Sequence, residues 1–456
     1  MKQTRLLLLT AVAAVSGCAS VPAQDPADLL IANVHIVDTA AGALSPPRDV
    51  ALRDGRIVSI SPAGAGPDAA SIIDGDGRYL LAGLVDAHAH IGNGGIAPQD
   101  DASRHASLRQ FLRYGVTSIL VPGGTGGGDA DLPALRAYCA APGQCPGLAL
   151  TGSLVTAPGS HPISTIFEFP PNVDDAMLAS RGLSAIHPGT DIEALVAARR
   201  DAGATFLKIV IEDGPPPWYP KPRLSDAQVA ALTRAAHARS MKVVAHVSDA
   251  AEVEIALAAG VDAIMHMPLD RMSDDLLRRM AARGMALVPT LALYQGFTTW
   301  GEGERESDPY ALAGVPAPVI ESLANPGFLA HPAEPLEGAR RYLTIGSDNL
   351  RRAVAAGVPV LLGTDVNNPF VFPGYSMHEE LGLAVAAGLT PAQALDRATR
   401  HSAAFLGFKD AGTVAPGNQA DLILLAANPL EAIGNSRTIV TVLSDGAVVP
   451  DPVSLP

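Results

Sequence analysis

Basic residues and long apolar runs are both scarce in this sequence. Only five of its 456 residues are lysine, and 32 positive charges face 46 negative ones, which gives a formal net charge of −14. No cluster of Lys and Arg forms a basic footprint, so we expect no nucleic-acid partner. Charged residues make up 17% and apolar residues 48%. This balance excludes a disordered chain and predicts a large folded core.

The longest N-terminal apolar run is too short to cross a bilayer. Leu6–Val15 has ten residues, whereas a membrane span needs about 20. Lys2 and Arg5 precede this run, which is the pattern of a secretory signal peptide. The run ends in Val-Ser-Gly-Cys, and this resembles the lipobox of bacterial lipoproteins. We therefore expect Cys18 to be lipidated and the protein to lie at the periplasmic face of the outer membrane. A soluble periplasmic protein is the alternative.

Cysteine is rare as well. Besides Cys18, the sequence contains only Cys139 and Cys145, which flank a Pro-Gly turn signal. An exported chain occupies an oxidising compartment, so we expect a disulfide between these two residues. Two free thiols are the alternative.

Short strand-like segments lie at both ends of the chain. Those rich in Val, Ile and Leu are 29–37, 50–60, 71–81, 422–425 and 439–443. Turn residues separate them, as expected for strands of an all-β unit. We expect the two sets to pair into one small β-sandwich domain.

Strands and helices alternate in the middle of the chain. The predicted strands are 84–90, 116–121, 147–151, 205–211, 242–246, 262–266, 286–289 and 359–364. The clearest helical runs between them are 191–201, 225–240, 250–259, 273–283 and 347–356. This alternation predicts an α/β fold with a (β/α)8 TIM barrel. The expected organisation is a signal peptide 1–17, a lipidated cysteine and linker 18–27, a β-sandwich 28–83 with 409–456, and a barrel 84–408.

Three stretches are too long for plain connections between strand and helix. They are 152–190, 212–224 and 291–344, and they follow the third, fourth and seventh predicted strands. Segments that follow barrel strands lie on the catalytic face. We therefore expect these three to build or cover the pocket.

Histidines end several of the predicted barrel strands. The first strand ends in D-A-H-A-H, with His88 and His90 two positions apart. Residues two apart on a strand face the same side, so both imidazoles are expected to point into the barrel mouth. His246 and His266 end the fifth and sixth strands, and Asp365 follows the eighth. A carboxylate there can bind a metal and move a proton.

Lys208 lies inside the apolar strand segment 206–211. A buried ammonium costs several kcal/mol unless it is paired or neutralised. A neutral lysine amine can react with CO2 to give a carbamate, an anion able to bridge two metals. An ordinary ion pair with Glu212 or Asp213 is the alternative.

Taken together, this pattern resembles the binuclear-metal type of the amidohydrolase superfamily over residues 28–456. The pattern is H-x-H on strand 1, Lys on strand 4, His on strands 5 and 6, and Asp on strand 8. The segment 421–425 resembles the returning strand of that superfamily, and 388–391 and 428–430 resemble its prolidase-like and imidazolonepropionase-like branch. That branch commonly carries a tyrosine two residues after the strand-5 histidine, where this chain has Ser248.

The resemblance implies a metal centre and a mechanism. One metal would be held by His88, His90 and Asp365, and the other by His246 and His266. Carboxylated Lys208 would bridge the two divalent ions together with a hydroxide, which attacks the substrate while Asp365 serves as general acid and base. Zinc is the expected metal because imidazole and carboxylate ligands suit it.

Four further residues are expected near the substrate. His161 lies just after the third strand, where a histidine of the resembled branch contacts the substrate carbonyl. A loop histidine without a role is the alternative. Trp218, Tyr219 and Arg223 would wall the pocket and bind a carboxylate, unless they are solvated loop residues.

The predicted function is hydrolysis of an amide C–N bond in a small substrate, such as a dipeptide or an N-acyl amino acid. A lactonase or a carboxylic or phosphoric ester hydrolase with the same metal site is the first alternative. A non-catalytic anchored binding protein is the second. The expected partner is a small molecule, with membrane contact only through the N-terminal lipid, and a homo-oligomer is compatible with the sequence.

Overall fold

The computed structural model describes most of the chain. The described residues are 26–93, 100–123, 128–164, 173–214, 221–301, 308–325 and 336–453. The predicted signal peptide, Cys18, Trp218 and Tyr219 therefore lie outside the described residues. Within these ranges, no helix combines the length and the apolar character needed to cross a bilayer.

Strands occur along the whole described chain. In order they are β1 (Ala27–Asp38), β2 (Ala43–Leu44), β3 (Arg48–Arg53), β4 (Arg56–Pro62), β5 (Ala69–Asp74), β6 (Tyr79–Ala82), β7 (Leu84–Asp86), β8 (Val116–Val121), β9 (Gly147–Leu150), β10 (Leu154–Thr156), β11 (Leu183–Ala185), β12 (Phe206–Val210), β13 (Lys242–His246), β14 (Ala263–Met265), β15 (Ala286–Val288), β16 (Leu422–Leu425), β17 (Ile439–Ser444) and β18 (Ala447–Val448).

Helices fill most of the connections from β7 to β16. They are α1 (Asp101–Arg113), α2 (Leu132–Tyr138), α3 (Asp175–Ser180), α4 (Ile192–Asp201), α5 (Asp226–His237), α6 (Ala250–Ala259), α7 (Asp274–Arg283), α8 (Leu291–Gly301), α9 (Pro309–Leu312), α10 (Ala317–Leu323), α11 (Leu336–Ala355), α12 (Tyr375–Ala386), α13 (Pro391–Asp396) and α14 (Ser402–Leu406).

Strands from both ends of the chain share one sheet. The long strand β1 pairs with β3 and β5 near its start and with β6 near its end, where His35 lies opposite Tyr79. The C-terminal strand β16 joins antiparallel to β6, with Leu422 opposite Ala82. The order along this sheet is β18-β17-β16-β6-β1-β3-β4. The two-layered sandwich and its domain boundaries stay predictions.

Two N-terminal segments each contain two strands where the sequence suggested one continuous apolar segment. Segment 50–60 turns at Asp54-Gly55, whose φ angles are 49° and 73°. Segment 71–81 is broken by the turn at Asp76-Gly77. Glycine takes positive φ without steric cost, which allows both turns.

Parallel strands alternating with helices form a barrel-like α/β arrangement. One parallel sheet contains β7, β8 and β9, and the other contains β11, β10, β12, β13, β14 and β15 in that order. The amide of Thr205 donates to the carbonyl of Leu150 at 2.8 Å, which connects the end of β9 with the start of β12. Apolar side chains from both sheets, such as Val85, Phe206 and Val244, form one buried cluster.

The predicted eighth strand, 359–364, is not a regular strand. This segment makes single bridges instead, with Val360 opposite Leu287 and Val366 opposite Ala89. Pro359 has no amide hydrogen to donate. A Cβ at Gly363 would lie 2.7 Å from the backbone nitrogen of His88, so the chain passes unusually close to the end of β7. The segment nevertheless links β15 to β7, because the amide of Ala87 donates to the carbonyl of Leu362 at 2.9 Å.

The long connections contain regular structure that the sequence did not predict. Segment 152–190 contains β10, α3 and β11, and segment 291–344 contains α8, α9, α10 and the start of α11. At the start of helix α8, the carboxylate of Glu380 accepts the amide of Ala292 at 2.7 Å. This cap comes from 88 residues away, so the sequence near the helix does not reveal it.

Candidate metal centre

The side chains predicted to bind metal meet at one mouth of the barrel. His88 and His90 follow β7, His246 ends β13, and His266 follows β14. Asp365 comes after the segment that closes the ring. The carboxyl ends of parallel strands lie at the same face of such a barrel, so residues distant in sequence converge there.

Five imidazole rings form a continuous row, which we call the histidine arc. The ring centroids of His90 and His88 are 5.4 Å apart, and those of His88 and His266 are 4.7 Å apart. His266 and His246 follow at 4.4 Å, and His246 and His161 stack at 4.4 Å. The structure therefore places His161 next to the four predicted metal-binding histidines.

A carboxylate lies at the first end of the arc. Asp365 is buried, and its Oδ1 is 3.1 Å from Nε2 of both His88 and His90. Its Oδ2 is 3.9 Å from Nδ1 of His266 and accepts a hydrogen bond from the Asn368 amide at 3.0 Å. We call the group formed by His88, His90, His266 and Asp365 the Asp365 end.

The protonation states at the Asp365 end suit a metal. Burial acts to raise the pKa of Asp365, but the neighbouring His88 and His266 outweigh this and hold the pKa well below its usual range. Burial lowers the pKa of His88 to about 3 and that of His266 well below its usual value. A carboxylate and neutral imidazoles are the forms that bind metal ions.

Further contacts fix the orientation of these rings. Nδ1 of His90 lies 2.9 Å from the carbonyl oxygen of Gly123, which can only accept a hydrogen bond. This contact requires a proton on Nδ1 and leaves Nε2 free as the ligand atom. Nδ1 of His266 lies 3.0 Å from the hydroxyl of Thr290, which holds that ring as well.

Lys208 lies in β12 with its amine buried. Its side chain is 2% exposed, and Nζ has no hydrogen-bond partner among the described residues. Burial lowers the pKa of Lys208 to about 7. An ion pair with Glu212 or Asp213 is not formed in this structure, and Glu212 instead contacts His246. An orphaned, partly neutral amine beside the arc fits a site for carbamate formation.

A second carboxylate lies at the other end of the arc. Glu212 is 5% exposed, and its Oε2 is 2.5 Å from Nε2 of His246 and 3.8 Å from Nδ1 of His161. We call His161, His246 and Glu212 the Glu212 end. The sequence analysis gave Glu212 no role beyond a possible counterion for Lys208. The available signal was its position directly after the apolar run that ends at Ile211, on the catalytic face.

The pKa values of Glu212 and His161 are lowered in the same way as those of Asp365, His88 and His266. Burial acts to raise the pKa of Glu212, but His161 and the hydrogen bond with His246 outweigh it and lower the pKa to about 2. Burial, together with His246, lowers the pKa of His161 to about 3. In each group, Asp365 with His88 and His266, and Glu212 with His161 and His246, the ligand atoms lie within 4.8 Å of one another.

Arg223, Cys139 and Cys145 are the other predicted residues that the structure describes. Arg223 donates to the carboxylate of Asp226 at 2.9 Å and to the carbonyl of Leu224 at 2.8 Å, at the start of α5. Its role in substrate binding, like that of Trp218 and Tyr219, stays a prediction. Cys139 and Cys145 form a disulfide between α2 and β9, with their Cα atoms 5.2 Å apart.

Comparison with known proteins gives the same family as the sequence patterns. The sequence profile of the amidohydrolase family matches residues 79–449. The imidazolonepropionase of Symbiobacterium thermophilum is 26% identical over 445 residues, covering 88% of this chain and 91% of that protein. The imidazolonepropionase of Deinococcus deserti is 41% identical over 91 residues only, and this match spans 20% of this chain and 23% of that protein.

A solved structure supports the fold. The crystal structure of a Xaa-Pro dipeptidase with methionine bound in its active site matches with a TM-score of 0.72. The match covers 92% of this chain and 99% of that one, at 21% identity. At this level of identity the likeness shows the fold alone, which is a TIM-barrel-like α/β fold.

Proposed function

The chain belongs to the amidohydrolase family, and on that premise we propose that it hydrolyses an amide C–N bond of a small substrate. Dipeptides and N-acyl amino acids are the proposed substrate classes. The observation that carries this proposal is the histidine arc, which converges with the buried Asp365 carboxylate at the catalytic mouth. The family match confirms the amidohydrolase membership that was predicted from the H-x-H, Lys, His, His and Asp pattern. It also confirms the prediction that the protein is a hydrolase, at the level of the family.

The donor atoms of the arc fit two divalent ions. We assign one ion to His88, His90 and Asp365 and the other to His246 and His266, with carboxylated Lys208 between them. The buried amine of Lys208, which has no hydrogen-bond partner among the described residues, supports the carbamate. Imidazole and carboxylate donors favour zinc. Two such ions would act as Lewis acids that polarise the substrate carbonyl and make water a better nucleophile at neutral pH.

Asp365 is the proposed proton carrier. Its Oδ1 lies 3.1 Å from Nε2 of His88 and His90, and its Oδ2 accepts a hydrogen bond from the Asn368 amide, which orients the carboxylate at the mouth. As the attacking water adds to the carbonyl carbon, Asp365 takes its proton and then delivers it to the leaving nitrogen. His161 is proposed to contact the substrate carbonyl oxygen, for which its stacking on His246 positions it.

A substrate panel tests the proposed function. The metal-loaded protein is assayed with dipeptides, N-acyl amino acids, lactones, and carboxylic and phosphoric esters, with Asp365→Asn as the matched control. We expect amide hydrolysis that this control lacks. Faster turnover of lactones or esters than of any amide would replace the proposal with an ester hydrolase. Binding without turnover of any member would indicate a binding protein.

We also propose that the protein is exported and anchored through lipidated Cys18, or else is soluble in the periplasm. The Val-Ser-Gly-Cys segment after a short apolar run supports this. Labelling of cells with a palmitate analogue is expected to mark the wild type but not Cys18→Ser. Equal labelling of both proteins would contradict the anchor.

A further inference from the structure

Glu212 is a buried carboxylate that the proposed mechanism does not use. It lies just after β12, and its partners come from two other segments: His246 ends β13, and His161 follows β10. The hydroxyl of Ser160 donates to the backbone carbonyl of Glu212 at 3.3 Å, which connects these segments. The hydroxyl of Thr156 donates to the carbonyl of His161 at 2.6 Å and fixes the position of that residue.

We propose that Glu212 is a direct ligand of the second divalent ion and that it forms a three-donor site with His246 and His161. This adds two ligands to those implied by the resemblance and makes His161 a metal ligand in addition to a neighbour of the substrate. The inference rests on the proposed function, because the ion is the one assigned there to His246.

The spacing of the donor atoms supports direct ligation. Zinc binds imidazole nitrogen and carboxylate oxygen at about 2.0–2.2 Å, so two ligands of a tetrahedral site lie about 3.4 Å apart. The distances from Oε2 of Glu212 to the ring nitrogens of His246 and His161 are 2.5 Å and 3.8 Å, which bracket that spacing. Small side-chain shifts would therefore bring all three donors onto one ion.

The chemistry of the donors points the same way. Two histidines and one glutamate occur together as donors in known catalytic zinc sites, and here they would share the ion with His266 and carboxylated Lys208. Glu212 has no Lys or Arg within ion-pair distance among the described residues, and its close side-chain contacts are with two imidazoles. A divalent ion bound directly to the carboxylate would neutralise this buried charge.

The acidic residues nearby are explained without a metal. Glu252 accepts the backbone amide of Asp213 at 2.8 Å and also bonds the amide and hydroxyl of Ser248 and the amide of Asp249. These hydrogen bonds of Glu252 connect the end of β12 with the start of α6. Asp213 forms no ion pair with His246 or His161 in the described structure, which makes it a suitable control for Glu212.

Metal counting with a spectroscopic readout tests the proposal. The protein is stripped with a chelator and reloaded with Co²⁺, whose visible absorption depends on its ligands. Bound Co²⁺ per chain and the spectrum are then measured for the wild type, Glu212→Gln and Asp213→Asn. We expect two ions for the wild type and for Asp213→Asn. For Glu212→Gln we expect affinity for one ion to fall by at least about a hundredfold, beyond the 10–100-fold cost of losing an outer contact.

The spectrum separates a ligand from a residue that merely orients His246. If Glu212 is a ligand, Glu212→Gln forced to bind two ions at high Co²⁺ must show a changed absorption for the second ion. An unchanged spectrum at full loading, or two ions bound as tightly as in the wild type, would overturn the proposal. His161→Gln is measured alongside, so that a fold defect in one variant does not decide the outcome. It should weaken the same ion and change the same absorption.

The outcome is separable from that of the proposed function. If the wild type cleaves no amide, but Glu212→Gln loses one Co²⁺ ion and the absorption of that ion, then the proposed substrate class is wrong and Glu212 is still a ligand. If the wild type cleaves amides, and Glu212→Gln keeps both ions and an unchanged spectrum, then Glu212 is not a ligand and the proposed amide hydrolysis is retained.

Discussion

The two ends of the histidine arc bring a carboxylate and imidazoles together in different ways. At the Asp365 end, one carboxylate oxygen is 3.1 Å from both histidines of a single H-x-H pair, so one strand supplies two of the contacts. At the Glu212 end, the two histidines come from separate segments, and the carboxylate from a third. Local chain geometry pairs two histidines at the first end, whereas the tertiary fold brings all three members of the second end together.

The two ends also differ in their outer contacts. The rings of His90 and His266 at the Asp365 end are held by Gly123 and Thr290. At the Glu212 end, His246 stacks on His161, and its Nε2 lies 2.5 Å from Glu212. We infer that the outer contacts of His90 and His266 preorganise the first end for a metal.

The largest expected effect is at the Asp365 end. Asp365→Asn keeps the shape and an oxygen ligand but removes the base, so kcat is expected to fall 10²–10⁴-fold, about 3–5 kcal/mol. The fold and the metal content should be retained, because the site lies at the barrel mouth. The measurement is kcat on the best amide of the panel. A variant that keeps more than about a tenth of wild-type kcat would leave Asp365 as a ligand only.

Lys208, proposed to bridge the two ions as a carbamate, tests whether the two ends act as one site. Loss of this proposed bridge in Lys208→Ala is expected to cost much of one metal ion and roughly a hundredfold in rate, since each Lewis acid contributes several kcal/mol. Short carboxylic acids should partly restore activity by replacing the carbamate. Lys242→Met, which alters a lysine of the neighbouring strand, is the control. Full activity in Lys208→Ala would show that no bridge exists.

A smaller effect is expected from the outer contacts of the Asp365 end. Thr290→Val removes the hydroxyl that holds Nδ1 of His266 and should lower metal affinity 10–100-fold. Thr233→Val is a matched control, because that buried hydroxyl bonds only the Val229 carbonyl within α5. Metal titration of both variants checks this. Equal affinities would mean that the Thr290 contact does not preorganise His266 for the metal.

The smallest effect on the site is expected from the disulfide. Replacing both Cys139 and Cys145 by serine should lower the free energy of unfolding by about 2–3 kcal/mol, because the short closed loop no longer restricts the unfolded chain. Both metals and kcat should be unchanged, since the bond lies between α2 and β9. Denaturant unfolding and metal analysis measure the two quantities. Loss of an ion in this variant would show that the arc depends on distant loops.

The sequence predicted the features that depend on local spacing. His88 and His90 are two apart at a strand end, and His246 and His266 each close a short apolar run, so their convergence followed from the barrel alone. Lys208 could be recognised because a lone lysine in an apolar strand needs an explanation.

The features that the sequence did not predict depend on contacts between distant segments. Glu212 follows an apolar run and precedes Asp213, a pattern that equally fits a solvated loop. Helix α8 is capped by Glu380, far along the chain, so the sequence near the helix does not reveal this cap. The segment 359–364 has a strand-like composition, but its close approach to His88 at Gly363 prevents a regular ladder.

The number of divalent ions in catalytically active wild-type protein tests the central claim most directly. Purified protein, active on an amide substrate, is dialysed free of loose metal and analysed for bound ions per chain. Two ions per chain are predicted, one for each end of the histidine arc. Full activity with a single ion per chain would contradict the account.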